Sequence, residues 1–123
     1  MSTGMPVPDR ELARRLLGTV PHRDRLPAGR LKPPVGLIPS PVRGLKEVRL
    51  LLTPDDRSLP GLNLSALAGW IRRVIGDTEL ADRVEAAVQA ADSYVAGCLA
   101  VYELVVARLD QAERIVGPAG PVG

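Results

Sequence analysis

One run of apolar residues constrains this chain more than any other feature. Val84, Val88, Ala91, Val95, Cys98, Tyr102, Val105, Leu109, Ala112 and Val116 recur at alternating steps of four and three. That spacing is the signature of a helix with one continuous apolar seam. Read as a single rod, residues 80–116 would extend about 55 Å at about 1.5 Å per residue. A rod of that length cannot bury its seam against itself, so something else must cover it.

The region from residue 62 to residue 116 contains no proline. Leu64, Leu67, Ala68, Ile71, Val74 and Ile75 keep helical spacing, with Asn63 or Ser65 placed to cap the start and Gly76 to end it. Asp77 or Thr78 can then cap the next helix, and so short a connection makes the two helices antiparallel neighbours. The expected fold is therefore all-α: a helical hairpin with one long C-terminal helix over about 78–116, preceded by an extended Pro-rich N-terminal arm. The absence of Phe, with one Trp and two Tyr, leaves a core of Leu, Val, Ala and Ile, which suits close helix packing.

The length mismatch in that hairpin carries the main expectation. The shorter helix covers only about the first 20 Å of the longer one at about 1.5 Å per residue. Beyond Tyr94 the long helix is apolar nearly all round, with Leu99 and Val106 on one flank and Val101 and Ile115 on the other. A helix apolar on every face is buried on every face. The expectation assigns an interface with another protein subunit to Val88, Ala91, Val95, Cys98, Leu99, Tyr102, Val105, Val106 and Leu109. Small residues (Ala91, Gly97, Cys98, Ala112) allow a second helix to approach closely. On this reading Val105→Asp breaks assembly by placing an unpaired charge in the seam. The alternative is an ordinary amphipathic helix covered by the chain's own residues 1–60.

The first 44 residues differ in kind. They hold eight basic residues against three acidic ones, net +5, whereas residues 45–123 hold eight basic against eleven acidic, net −3. A basic arm is thus joined to a mildly acidic body. Residues 1–8 should be disordered unless held. Asp9 is placed to cap a short helix near 9–17, with Glu11 in its first turn and Gly18 as its stop. Residues 19–44 contain six prolines and three glycines, which argues against helix or central strand and for an extended, locally stiff arm. Leu26, Leu31, Val35, Leu37 and Ile38 have no reason to sit in a solvated linker. The arm is expected to dock on an acidic protein surface through Arg23, Arg25, Arg30, Lys32, Leu37, Ile38 and Arg43.

Residues 40–53 read as a helix led by Ser40-Pro41, with a short strand over 47–53 as the alternative. The helix-start signal TPDD at 53–56 is cut short by Pro60-Gly61. The division that follows is an arm over 1–44, a helical body over 45–116 and a flexible tail over 117–123. Residues 31–39, LKPPVGLIP, resemble a Lys-Pro-Pro-x-Gly-Leu-x-Pro box of small phage-encoded proteins of unknown function; the remaining chain does not follow that pattern and no family is assigned.

The residues offer little chemistry. Cys98 is the sole cysteine, which excludes an internal disulfide, and no cation lies within a helical turn to lower its pKa. It reads as a core residue, sharing a face with Tyr94 and Tyr102. Glu103, alone among apolar residues, either points to solvent or meets a partner's cation, such as an arginine of the arm. His22, the sole histidine, lacks companions for a metal site. There is no catalytic triad pattern and no Gly-rich phosphate loop. Catalytic, cofactor-binding and metal-binding residues are therefore not expected. The basic arm could neutralise phosphates, but without interleaved aromatics nucleic acid is not favoured.

Residues 93–107 are the most apolar stretch, yet they fall short of the ~20 residues a membrane span needs and include Glu103. The first 15 residues lack the apolar run of a signal peptide. The expectation is a cytoplasmic, non-catalytic assembly subunit of bacterial composition, with no membrane partner. It would oligomerise or dock into a larger complex through its C-terminal helix while the arm clamps neighbouring subunits. The alternatives are an accessory subunit of an enzyme and a dimeric nucleic-acid-associated regulator.

Overall fold

The computed structural model describes residues 4–55 and 57–117. Helix α1, Arg10–Leu17, starts where Asp9 accepts the Leu12 N–H at 2.8 Å and stops at Gly18. After a 3-10 turn at His22–Asp24 come strands β1, Gly29–Lys32, and β2, Gly36–Pro39. Helix α2, Leu45–Leu52, follows from a Gly44 cap rather than from Ser40-Pro41. Strand β3, Leu59–Gly61, precedes α3, Leu64–Trp70, which Asn63 caps through the Ala66 N–H. A π-helical turn, Ile71–Ile75, ends at Gly76 in the left-handed region (φ 85°), where a residue without Cβ is required. Helices α4, Thr78–Ala90, and α5, Tyr94–Val116, complete the chain.

The all-α expectation is overturned by the sheet. β1, β2 and β3 form a three-stranded antiparallel sheet in the order β2-β1-β3, so the fold is mixed α/β. The proline content that argued against strands is compatible with this one because of where each proline falls. Pro33 and Pro34 occupy the β1–β2 turn, which Gly36 closes at φ 99°. The central strand β1 has no proline. Leu26 and Val42 exchange both backbone hydrogen bonds, and bonded pairs alternate along an antiparallel ladder. Continued through Arg30↔Ile38, that alternation turns Pro39 outward on one edge and Pro60 outward on the other. Neither missing N–H is needed for the sheet, and both blunt an edge against strand addition.

The single long helix is also corrected. The chain turns extended at Ala91 (ψ 141°) and Ser93 (φ −154°), and Ser93 Oγ then accepts the Ala96 N–H at 3.1 Å to begin α5. α4 therefore folds back on α5 instead of continuing into it, and α3 packs on α4. The cover for the rest of α5 comes from the chain's own first half. α1 and α2 lie along α5, burying Ala13, Leu16, Leu45, Val48 and Leu52 together with Val101, Val105, Leu109 and Ala112 in one core. Over this stretch the alternative of a helix covered by the chain's own residues 1–60 is what the structure has, because the first half contributes two amphipathic helices.

One ionic cluster locks this arrangement. Arg108 on α5 is 2% exposed and meets Asp77, 1% exposed, in a two-pronged pair: Nε to Oδ2 at 2.8 Å and Nη2 to Oδ1 at 3.1 Å. Asp77 also caps α4 by accepting the Leu80 N–H at 3.0 Å. Arg108 Nη1 donates to the Pro6 carbonyl at 2.6 Å and to Gln111 Oε1 at 2.9 Å, while Gln111 Nε2 donates to the Met5 carbonyl at 2.9 Å. Residues 4–8 are thereby held, with Met5 in the core. The expected tail at 117–123 lies outside the described residues save Gly117, as does Asp56 of the TPDD segment. Among the described residues no helix is long and apolar enough to cross a membrane.

Candidate docking surface

Apart from Val7 and Leu50, the large apolar residues left exposed among the described residues fall in two groups. Leu31, Val35, Leu37, Ile38 and Leu59 lie on the sheet and its turn, and Tyr94, Val95 and Leu99 lie on the first turns of α5. Register explains the first group. Leu31 pairs with Leu37 on one side and with Leu59 on the other, and directly opposed residues share a face. The result is a row of three leucines across all three strands. Leu37 lies flat on this face: its Cδ1 is 2.9 Å from where a Cβ on Gly29 would be and 2.6 Å from that of Gly61. Those two glycines exist in effect as a seat for Leu37. Even so, Leu37 remains 54% exposed and Leu59 44% exposed.

The opposite face of the sheet is tied to the body. Arg30 Nη2 donates to the Leu50 carbonyl at 2.8 Å and Nη1 to Ser58 Oγ at 3.2 Å. Ser58 in turn donates to Asp55 Oδ2 at 2.9 Å, and Asp55 Oδ1 accepts the Arg57 N–H at 2.9 Å. These bonds hold the Asp55 carboxyl below its ordinary range, the Arg57 N–H first among them. Tyr94 provides the second tie. Its hydroxyl accepts the Leu62 N–H at 3.1 Å and lies within donating distance of the Pro60 and Leu62 carbonyls. Burial pushes the Tyr94 hydroxyl up. Tyr94 thus joins the end of β3 to the start of α5.

The residues singled out in the sequence divide by position. Val105 and Leu109 are fully buried in the chain's own core and Cys98 nearly so; Val88, Ala91, Tyr102 and Val106 are half-buried. Val95 and Leu99 are the exposed members of that group. Of the arm residues, Arg23, Arg25, Lys32, Leu37, Ile38 and Arg43 are exposed and Arg30 is half-buried. Arg25 meets His22 Nδ1 at 3.1 Å, and Arg43 meets Glu47 at 3.6 Å. The structure brings Arg30, Lys32, Leu37 and Ile38 together on one small sheet and leaves Arg23, Arg25 and Arg43 on its approaches.

Arg108, Trp70, Ser58 and Leu59 were not read from the sequence as structural or surface residues of note, and Asp77 was read as a helix cap but not as the buried partner of Arg108. Trp70 Nε1 donates to the Asp24 carbonyl at 2.6 Å and fastens the segment leading into β1. Arg108 did carry a signal: it is a lone arginine beside Leu109 on the apolar seam, and a charge there demands a buried partner.

Chemically, the surface can bind an apolar face. Burial pushes the Cys98 thiol up, so it stays protonated and weakly nucleophilic near neutral pH. Among the described residues no group of three or more His, Cys, Asp or Glu side chains is placed to hold a metal ion. A separate open groove of about 580 Å³ runs between α4 and α5, lined by Ala86, Ala87, Ala100 and Leu104 with Glu79, Asp82, Arg83 and Glu103 at its margin. No protein-family model, curated protein or solved structure matches this chain.

Proposed function

We propose that this protein is a non-catalytic assembly subunit that docks onto another protein subunit through the leucine row of its sheet and the exposed first turns of α5. The observation that carries the reading is Leu31, Leu37 and Leu59 aligned across three strands and all three exposed. Apolar residues grouped on one rigid sheet form the kind of contiguous patch that marks an interaction site. The blunted edges favour contact by the face over pairing by added strands. A cytoplasmic setting accords with the sole cysteine being a buried free thiol.

The test is the assembly state of the full chain, measured by light scattering after size-exclusion chromatography, alone and mixed with extract of its native source. The reading expects a stoichiometric complex that Leu37→Asp abolishes while the circular dichroism spectrum is unchanged. A wild-type chain that stays monomeric and takes up no protein in stoichiometric amount contradicts it.

A further inference from the structure

The segment that carries the β1–β2 hairpin and the α4–α5 pair are of opposite charge. Residues 19–49, which carry the hairpin, hold seven basic residues against two acidic ones, net +5. Residues 77–116, which build α4 and α5, hold eight acidic against three basic, net −5. The groove between α4 and α5 lies in the acidic half. Its floor of Ala86, Ala87 and Ala100 is shallow and apolar, and its volume of about 580 Å³ is enough to take several side chains. At its margin Glu79 is occupied by Arg83 at 2.6 Å and Asp82 by Arg72 at 2.9 Å. Glu103 forms no ion pair among the described residues. On the hairpin, exposed Lys32 lies in the field of Asp55 but forms no ion pair among the described residues, and close by in sequence the turn projects Val35 at 73% exposure.

We infer that the occupant of the groove is a second copy of this chain: the β1–β2 turn of one copy, with Val35 leading, seats on the alanine floor of the next, and Lys32 pairs with Glu103 there. The inference rests on the docking reading and names its partner. A convex, proline-stiffened turn loses little conformational freedom on binding. Alanines permit its close approach, and the opposed charges of the two halves steer it. Since hairpin and groove are different surfaces, the contact is heterologous and extends head to tail, closing to a ring or growing as a filament.

Sedimentation velocity on the full chain over a range of protein concentrations, at low and at high salt, tests this. The mean mass is expected to rise with concentration at low salt and to fall toward monomer at high salt. Lys32→Glu and Glu103→Lys, both at exposed positions, should each weaken association by about tenfold or more, with an unchanged circular dichroism spectrum showing that each variant is folded. The double variant, and an equimolar mixture of the two single variants, should restore it. A wild-type chain monomeric at every concentration overturns the inference, as does a double variant as defective as either single one. The docking reading is tested separately: a chain that fails to associate with itself but forms a stoichiometric complex lost in Leu37→Asp keeps that reading, and a Leu37→Asp variant that leaves every complex intact removes it.

Discussion

The two ends of α5 have similar apolar content and opposite fates. From Val101 to Ala112 the helix is sealed by α1 and α2, whereas Tyr94, Val95 and Leu99 at its start stay exposed beside a sheet that is itself open on one face. Hydrophobicity alone does not separate them. The difference lies in what the first half of the chain lays over each: two amphipathic helices on one, a proline-bounded hairpin on the other. Apolar residues that a chain leaves uncovered after building a complete core are the ones to credit with binding.

The sharpest way to break that contrast is at the sealed end. Arg108→Ala leaves Asp77 buried without its partner and frees Pro6, and is expected to cost about 3–5 kcal/mol. Equilibrium urea denaturation measures it, and a loss under 1 kcal/mol would remove the cluster from any structural role. Leu109→Ala should follow, at about 2–5 kcal/mol for a fully buried leucine. Leu99→Ala, ten residues earlier on the same helix, should change stability by less than about 0.5 kcal/mol. Equal losses at the two positions would erase the distinction. By the same logic Val105→Asp, expected from the sequence to disturb assembly, should unfold the single chain.

Smaller effects sharpen the boundary between the regions. Tyr94→Phe removes the hydroxyl that ties β3 to α5 and is expected to cost about 1–2 kcal/mol. Native-state hydrogen exchange should show the loss at Leu62 and the sheet, with amides of Val105 to Ala112 unaffected; uniform loss would mean that the sheet and the core open together. The smallest effect is pH-dependent. Because the folded Asp55 carboxyl is held below its ordinary value, its contribution is complete above about pH 3.9 and fades as pH falls through the lowered folded value. An NMR titration should therefore show the Arg30–Ser58 contact constant at neutral pH and loosening only in acid. Loosening near pH 6 would point to another group.

Capping was legible in the sequence because it is local. Asp9, Asn63, Gly76 and Asp77 each act within a few residues, and each stands where its side chain or its missing Cβ implied. The break at Ala91–Ser93 was hidden because the four-three spacing runs straight through it without proline or glycine; the serine that caps α5 was the one available sign. The sheet was hidden by a composition argument applied to a whole segment. Six prolines exclude a strand only if one of them falls on the central strand, and β1 has none. The docking face was partly legible: Leu31 and Leu37 were marked as belonging to an arm that binds, but Arg30, Lys32 and Ile38, marked with them, alternate to the other face of the sheet, and Leu59 comes from a separate strand that local pattern does not connect to them.

The most direct test compares Leu37→Asp with Leu109→Ala, each examined by urea denaturation and by size-exclusion light scattering. The account predicts that Leu37→Asp keeps the wild-type denaturation midpoint and loses assembly. It predicts that Leu109→Ala lowers the midpoint and still assembles where it is folded. The reverse pattern, a destabilised Leu37→Asp that assembles beside a stable Leu109→Ala that does not, would contradict it.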